Sequence, residues 1–270
     1  LYGVRSTEEL LRKAVDPLVG THVDAFFWCI NSGNVYWFNT RLGDIYGAHL
    51  DRFDTVYQFE YYQSVRRMLE EPKDYVEALA ERARKARMDF FLSFRMNDVH
   101  DGPAPFAGSS AEQGKFKREH PEFLLGDAVH PWFKSAHNFA FPEVREHKLA
   151  VIMEAVERYG TALDGIELDL LRHHYYFKPE EAHRNRHMMT DLVRRVRERL
   201  DEAGANRDSR LPLAVRVPPT FEIASRIGLD VQTWLDEELI NVLIAGTPSG
   251  DELDLSIKGF VQATRGEPCQ

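Results

Sequence analysis

The sequence predicts an α/β protein of the (β/α)8 class, a TIM-barrel-like fold, as a single domain over residues 1–270. Short runs of β-branched and aromatic residues alternate with longer segments of helical period, which is typical of βαβ units and a parallel sheet. Residues 25–30 and 242–245 are apolar at almost every position, as expected for parallel strands that are covered on both faces. Five clear strands cannot close a barrel, so we expect undetected strands or a barrel truncated at one or both ends. A doubly wound open sheet is the alternative.

The first half of the chain contains the first two predicted strands, at residues 23–30 and 89–94. Between them, apolar residues at three- and four-residue spacing predict a helix over residues 74–87. The polar segment 95–141 then greatly exceeds the length of an ordinary βα loop. Loops of that length are usually functional or disordered, so we expect this segment to be one or the other.

The second half of the chain continues the alternation. A helix is predicted over residues 142–159, because the proline at its first position suits the first turn of a helix. Asp164 and Gly165 predict a turn into the next strand. Thr190 is predicted to cap a helix that ends near Gly204, and we expect its arginine-rich face to be solvated. The remaining strands are predicted at residues 166–171, 211–217 and 239–245, whereas residues 255–261 fit either type.

The composition and charge of the chain argue against several classes of function. The chain has 34 Lys and Arg against 43 Asp and Glu, a net charge of -9, which argues against binding to a nucleic-acid backbone. No apolar run approaches the roughly 18 residues of a membrane-spanning helix, so we expect a soluble protein. Cys29 and Cys269 fit neither a disulfide framework nor a zinc motif, which leaves the compartment open. The chain begins at Leu1 without a signal pattern, so we expect an excised piece of a longer polypeptide that lacks any targeting segment.

A pair of carboxylates marks the predicted strand 166–171. Side chains alternate along a strand, so Glu167 and Asp169 point to one face and apolar neighbours to the other. Acidic side chains are rarely buried without a partner. In a barrel the C-terminal strand ends form the active-site face, where Asp169, Arg172 and His173 would lie. The alternative is a structural ion pair between one of these carboxylates and an arginine.

Polar residues also follow the strand 89–94. Arg95, Asn97 and His100 are suited to orient a polyhydroxylated ligand through directional hydrogen bonds. A turn that caps the strand would explain Asn97 and Asp98 but not Arg95. Arg216 stands between valines in its predicted strand and needs an acidic neighbour, for which Glu167 or Asp169 would serve.

The 11 histidines suggest a metal site, but no histidine pair has an H-x-x-x-H or H-E-x-x-H spacing, so we predict no metal and no cofactor. Dinucleotide, phosphate-loop and serine-hydrolase motifs are absent from the sequence. Tyr175, just past the carboxylate strand, is expected either to stack on a sugar or to pin a long loop. The histidines considered as ligands are His100, His120, His130, His137, His173 and His174.

Residues 164–172, with the sequence DGIELDLLR, resemble the D-G-[IV]-x-L-D-[FYL]-[IL]-R signature of the glycosyl-hydrolase-like family 10 proteins. Three further segments, residues 94–101, 117–123 and 138–145, resemble a subgroup of that family. The resemblance spans residues 23–245. It implies a carbohydrate-active TIM barrel.

The resemblance also implies roles for particular residues. Asp169 takes the position where many glycosidase barrels carry a carboxylate nucleophile on the fourth strand. Glu167 stands where a basic or polar residue is common, which leaves its role open. The usual second carboxylate is not visible at the strand ends 211–217 and 239–245. The remaining candidates are Asp98, Glu222, Asp251 and Glu252.

The favoured hypothesis is a glycoside hydrolase that acts on a poly- or oligosaccharide through two carboxyl groups. Asp169 would be the ionised member, and Asp98 or Glu167 the acid. Positions two apart on a strand are about 6.6 Å apart, which suits either a retaining or an inverting enzyme. One alternative is a non-catalytic carbohydrate-binding barrel. The other is a metal-assisted lyase, isomerase or hydrolase that uses Asp98, His100 and His173.

Overall fold

Parallel strands alternate with helices along the chain. The computed structural model describes residues 1–102, 109–205, 210–247 and 255–270. Its strands are β1 Ala25–Cys29, β2 Asn31–Ser32, β3 Val35–Tyr36, β4 Asp44–Ile45, β5 Asp89–Arg95, β6 Gly165–Asp169, β7 Leu213–Val217 and β8 Val242–Ala245. Its α-helices are α1 Thr7–Ala14, α2 Val56–Glu70, α3 Tyr75–Lys85, α4 Lys115–Glu119, α5 Pro142–Tyr159, α6 Pro179–Ala205, α7 Phe221–Arg226, α8 Val231–Asp236 and α9 Lys258–Ala263.

The main sheet has the strand order β1-β5-β6-β7-β8, and every neighbouring pair is parallel. The spatial order of the five strands across this sheet is therefore the same as their order along the chain. A doubly wound sheet instead reverses its order at a switch point. The structure confirms an incomplete (β/α) barrel and excludes the doubly wound alternative.

The two faces of this sheet differ in polarity. Register partners in neighbouring parallel strands share a face. Phe90, Leu92, Ile166, Leu168 and Val215 lie on one face and belong to the main apolar core with the helices. The opposite face, here called the inner face, would line the interior of a closed barrel. It carries Ser93, Arg95, Glu167, Asp169 and Arg216.

The sequence located the five strands of the main sheet and the helices α3 and α5. The predicted start of α6 was wrong, because the helix begins at Pro179 rather than after Thr190. Pro179, Glu180 and Glu181 suit a first helical turn. Thr190 is buried within α6, where its hydroxyl accepts a hydrogen bond from Trp234 Nε1 at 3.0 Å.

The long polar segment is folded over its described part. Residues 109–141 contain α4 and several short 3-10 turns. The segment 255–261, which fitted either type, enters α9 at Lys258. Within the described ranges, no helix combines the length and apolar character needed to cross a bilayer. Cys29 and Cys269 are both free thiols.

Candidate active site

The candidate site lies at the carboxyl ends of β5, β6 and β7. Arg95, Asp169 and Arg216 are register neighbours on these strands and share the inner face. Asp169 is half-buried, and its Oδ1 accepts hydrogen bonds from the backbone N–H of Leu171 at 3.0 Å and of Arg172 at 3.2 Å. No arginine or lysine of the described chain forms an ion pair with this carboxylate. Asp169 is therefore held in place by backbone groups and keeps an open side.

Glu167, two positions before Asp169, has a different environment. It is 1% exposed, and its Oε1 accepts from Arg216 Nε at 2.8 Å and Nη2 at 2.7 Å. Burial raises the pKa of Glu167, and the Arg216 guanidinium partly offsets that rise. The expectation that Glu167 donates a proton to a substrate is corrected, because no surface of its carboxyl group is left for a substrate. It forms the structural ion pair that the sequence offered as the alternative.

Asp98 is equally enclosed. It is 1% exposed, its Oδ2 accepts from Arg95 at 3.1 Å, and its Oδ1 lies 2.5 Å from His100 Nδ1. Burial disfavours its charge, but the hydrogen bond from His100 and the charge of Arg95 outweigh it and lower the pKa of Asp98. A buried, ionised carboxylate is a poor proton donor, so Asp98 is not the acid that the sequence suggested.

His100 connects Asp98 to the surface of the site. Its ring accepts from Arg172 Nη2 at 3.2 Å through Nε2, so Nδ1 carries the proton that Asp98 accepts. That hydrogen bond raises the pKa of His100, against the effect of burial. The side chain is 33% exposed, so the ring is accessible from solvent.

His173 lies beside the same carboxylate. It is 6% exposed, and its Nδ1 is 3.9 Å from Asp98 Oδ1. Its Nδ1 has no hydrogen-bond partner among the described residues. Burial lowers the pKa of His173 to about 4, so the ring is neutral at pH 7.

Two predicted substrate contacts hold the surrounding loops instead. The Asn97 amide donates to the carbonyls of His137 at 3.0 Å and Tyr175 at 2.7 Å, and its oxygen accepts from the N–H of His137 at 3.0 Å. Asn97 is 1% exposed, so its polar atoms are used within the protein. The Tyr175 ring packs on Phe133, with centroids 4.4 Å apart, as the loop-pinning alternative predicted.

Glu112 belongs to the site but was missed by the sequence analysis. Its Oε2 accepts from Ser32 Oγ at 2.7 Å and lies 3.8 Å from His100 Nδ1. Burial and the nearby charge of Asp98 raise the pKa of Glu112, although 17% of its side chain is exposed. A single acid in a long polar loop carries no periodicity or motif, so only the folded chain reveals it.

The other candidates lie elsewhere. Glu222 is an exposed residue of α7 that pairs with Arg226. Asp251 and Glu252 lie outside the described residues. His120 pairs with Glu122, and His137 is buried against Asn34. In contrast, Asp98, His100 and His173 bring one ligand atom each within 4.8 Å of one another, the residue set of the metal-assisted alternative.

Comparison with known proteins gives no matching family model and no matching curated protein, so membership of glycosyl-hydrolase-like family 10 stays a prediction. Among solved structures, the chain is similar to glycoside hydrolases at low identity. A noncanonic maltogenic alpha-amylase from Thermotoga neapolitana has a TM-score of 0.45 and 13% identity, over 90% of this chain and 46% of that one. An alpha-galactosidase from Thermus thermophilus has a TM-score of 0.45 and 18% identity, over 88% of this chain and 40% of that one.

A glycoside hydrolase family 18 N-acetylglucosaminidase from Paenibacillus barengoltzii has a TM-score of 0.44 and 16% identity, over 90% of this chain and 52% of that one. The chain thus spans about half or less of the length of these structures. Its assignment to the incomplete (β/α) barrels rests on its own strand order and register.

Proposed function

We propose that this chain carries the catalytic site of a glycoside hydrolase, in which Asp169 is the ionised carboxylate and Glu112 the acid. The observation that supports this most is the contrast between two partly accessible carboxyl groups near the same strand ends. Asp169 accepts backbone N–H groups, whereas burial and the Asp98 charge raise the pKa of Glu112. Glycoside hydrolysis needs one ionised and one protonated carboxyl group, and the raised pKa of Glu112 suits it to the protonated role.

Asp169 is suited to act as nucleophile or base. The backbone N–H groups of Leu171 and Arg172 both bind Oδ1, so neither of them occupies Oδ2. The residue is half-buried rather than enclosed. Arg95 and Arg216 flank it on the neighbouring strands, where each pairs with another carboxylate, Asp98 or Glu167. Their guanidinium N–H groups can also donate hydrogen bonds to the hydroxyl oxygens of a bound sugar.

Glu112 is suited to donate the proton to the leaving oxygen. The Ser32 hydroxyl occupies Oε2, so Oε1 is the oxygen left to carry a proton. Asp98 and Glu167 have supporting roles in this proposal, since one orients His100 and the other holds Arg216. Arg172 and His100, both accessible, are the proposed substrate-binding groups.

The test is reducing-sugar release from a panel of plant, algal and bacterial polysaccharides. Asp169→Asn and Glu112→Gln each remove a charge or a proton donor while preserving shape, so both should reduce release at least 100-fold. Glu222→Gln is the matched control, because Glu222 is exposed and pairs with Arg226 on its own helix rather than with a group of the site. Release that survives Asp169→Asn would exclude the proposed chemistry.

A carbohydrate-binding barrel without catalysis is the second candidate function. It is favoured by the two ion pairs Arg95–Asp98 and Arg216–Glu167, which present guanidinium groups at the strand ends. Binding of an oligosaccharide with no release of reducing ends, and with equal affinity in Asp169→Asn, would support this candidate. Arg216→Met should then weaken binding, which calorimetry measures directly.

A further inference from the structure

Three potential metal ligands converge at the carboxyl ends of β5 and β6. Asp98 and His100 follow β5, His173 follows β6, and one ligand atom from each lies within 4.8 Å of the others. We propose that Asp98, His100 and His173 bind a divalent transition-metal ion, with Zn²⁺ the best fit. This inference goes beyond the glycosidase proposal, because metal binding is measured without any carbohydrate.

The Asp98 carboxylate is the focus of the cluster. Its Oδ2 is held by Arg95. Its Oδ1 accepts from the backbone N–H of His100 at 3.0 Å and lies 2.5 Å from His100 Nδ1 and 3.9 Å from His173 Nδ1. The two rings meet edge to face with centroids 5.1 Å apart. One ligand atom from each of the three residues therefore lies within reach of a single ion.

A buried nitrogen of His173 supports the metal site independently of the distances between the three residues. The side chain is 8% exposed, yet its Nδ1 has no hydrogen-bond partner among the residues described. An unsatisfied buried polar group destabilises a folded chain. A metal ion at the cluster would give this nitrogen a partner.

The donor set points to zinc among the common ions. Neutral imidazole nitrogens and a carboxylate oxygen suit Zn²⁺, whereas Ca²⁺ and Mg²⁺ prefer oxygen ligands alone. Ligand atoms about 2.0–2.1 Å from a tetrahedral Zn²⁺ are about 3.3 Å apart. The separation of 3.9 Å at His173 is close to this value, and the 2.5 Å contact of His100 must open by about 1 Å.

Binding requires the neutral His100 ring to change its tautomer. The proton that Nδ1 donates to Asp98 would move through solvent to Nε2, which frees Nδ1 to bind Zn²⁺ with no net change in the protons of the ring. Nε2 of His100 then carries the ring proton, so Arg172 must turn away, which its exposed side chain allows. Three protein ligands leave a fourth position for water, on the accessible side of His100.

Buried hydrogen bonds hold the loop that carries Asp98 and His100. Lys117 is buried and donates to the backbone carbonyl of Asp98 at 2.9 Å and to Asp101 at 2.9 Å. Asp101 also accepts from Ser135 at 3.0 Å. These contacts hold the segment that carries Asp98 and His100 in place, which limits the reorganisation that metal binding requires.

Calorimetric titration of the chelator-treated protein with ZnCl₂ at pH 7 tests the site. We expect one ion per chain, and His173→Gln and His100→Gln should each weaken binding at least tenfold. His174→Gln is the matched control, since His174 is the next residue, is also partly buried and lies outside the cluster. Equal weakening by His174→Gln and His173→Gln, or no saturable binding, would overturn the proposal.

A second readout separates loss of the ligand from loss of the fold. Zn²⁺ should raise the melting temperature of the wild-type protein and of His174→Gln, because binding to the native state stabilises it. At the same ZnCl₂ concentration the rise should be clearly smaller in His100→Gln, whose 33% exposed ring can be replaced without disrupting the core. An equal rise in His100→Gln and the wild-type protein would also contradict the assignment. Sugar release plays no part in either readout.

Discussion

Burial separates the carboxyl groups around β5 and β6 into two kinds. Asp98 and Glu167 are each 1% exposed and pair with Arg95 and Arg216. Asp169 is half-buried, and Glu112 retains 17% side-chain exposure. The sequence alternation placed Glu167 and Asp169 on one face but could not tell which one would be enclosed. That difference depends on the arginine of β7, which is 49 residues away from Glu167 along the chain.

The Glu167–Arg216 pair gives a prediction at the scale of single residues. Arg216→Met leaves a buried carboxylate without its cation, a change that costs about 3–5 kcal/mol in enclosed pairs. Because Arg216 is 37% exposed, we expect a smaller loss, about 2 kcal/mol in the free energy of unfolding at pH 7. Urea denaturation followed by tryptophan fluorescence measures it.

The double variant Arg216→Met with Glu167→Gln provides the control. Neutralising the buried carboxyl group should recover most of the lost stability, because no unpaired charge remains. If the double variant were as unstable as Arg216→Met alone, packing of the arginine stem rather than charge would explain the loss.

At the scale of elements, local patterns located the strands but not every boundary. Apolar runs and helical spacing identified β1, β5, β6, β7 and β8. The start of α6 was misplaced because threonine is a common helix N-cap residue. The Thr190 hydroxyl instead accepts a hydrogen bond from Trp234 Nε1 on the neighbouring helix α8. A contact that is distant in sequence leaves no local signal. Asp164 and Gly165 were predicted to turn into β6; Asp164 forms a bend there, and Gly165 already belongs to the strand.

Gly165 is the first residue of β6, and its register partner on β5 is Phe91. A Cβ at Gly165 would overlap the Phe91 ring, which stacks on Phe27 with centroids 4.6 Å apart. Gly165→Ala should therefore destabilise the protein by about 1–3 kcal/mol, as overpacked sites do. Urea denaturation again provides the measurement.

Gly259→Ala is the matched substitution in α9. A Cβ there meets only Phe221 at 3.7 Å, an ordinary contact. Alanine favours a helix over glycine by up to about 1 kcal/mol, so this variant should be neutral or stabilised. Equal effects of the two substitutions would mean that the close approach of Gly165 to Phe91 does not limit the packing of β5 against β6.

At the scale of the whole molecule, the fold class was predictable and the site only partly so. Alternation of strands and helices leads to the parallel order β1-β5-β6-β7-β8. The polar residues after β5 and β6 were also recognised, because strand ends of a barrel share one edge. Glu112 was missed since it enters from the loop between these strands, and only packing of that loop brings it to His100.

The most direct test compares two kinds of substrate in the same variants. An aryl glycoside with a good leaving group needs little proton donation, whereas a natural glycan depends on the acid. Glu112→Gln should therefore lose kcat/KM on the glycan at least 100-fold but keep most of it on the aryl glycoside, while Asp169→Asn loses both. Equal losses of Glu112→Gln on the two substrates, or full activity of Asp169→Asn, would contradict the assignment of the carboxyl pair.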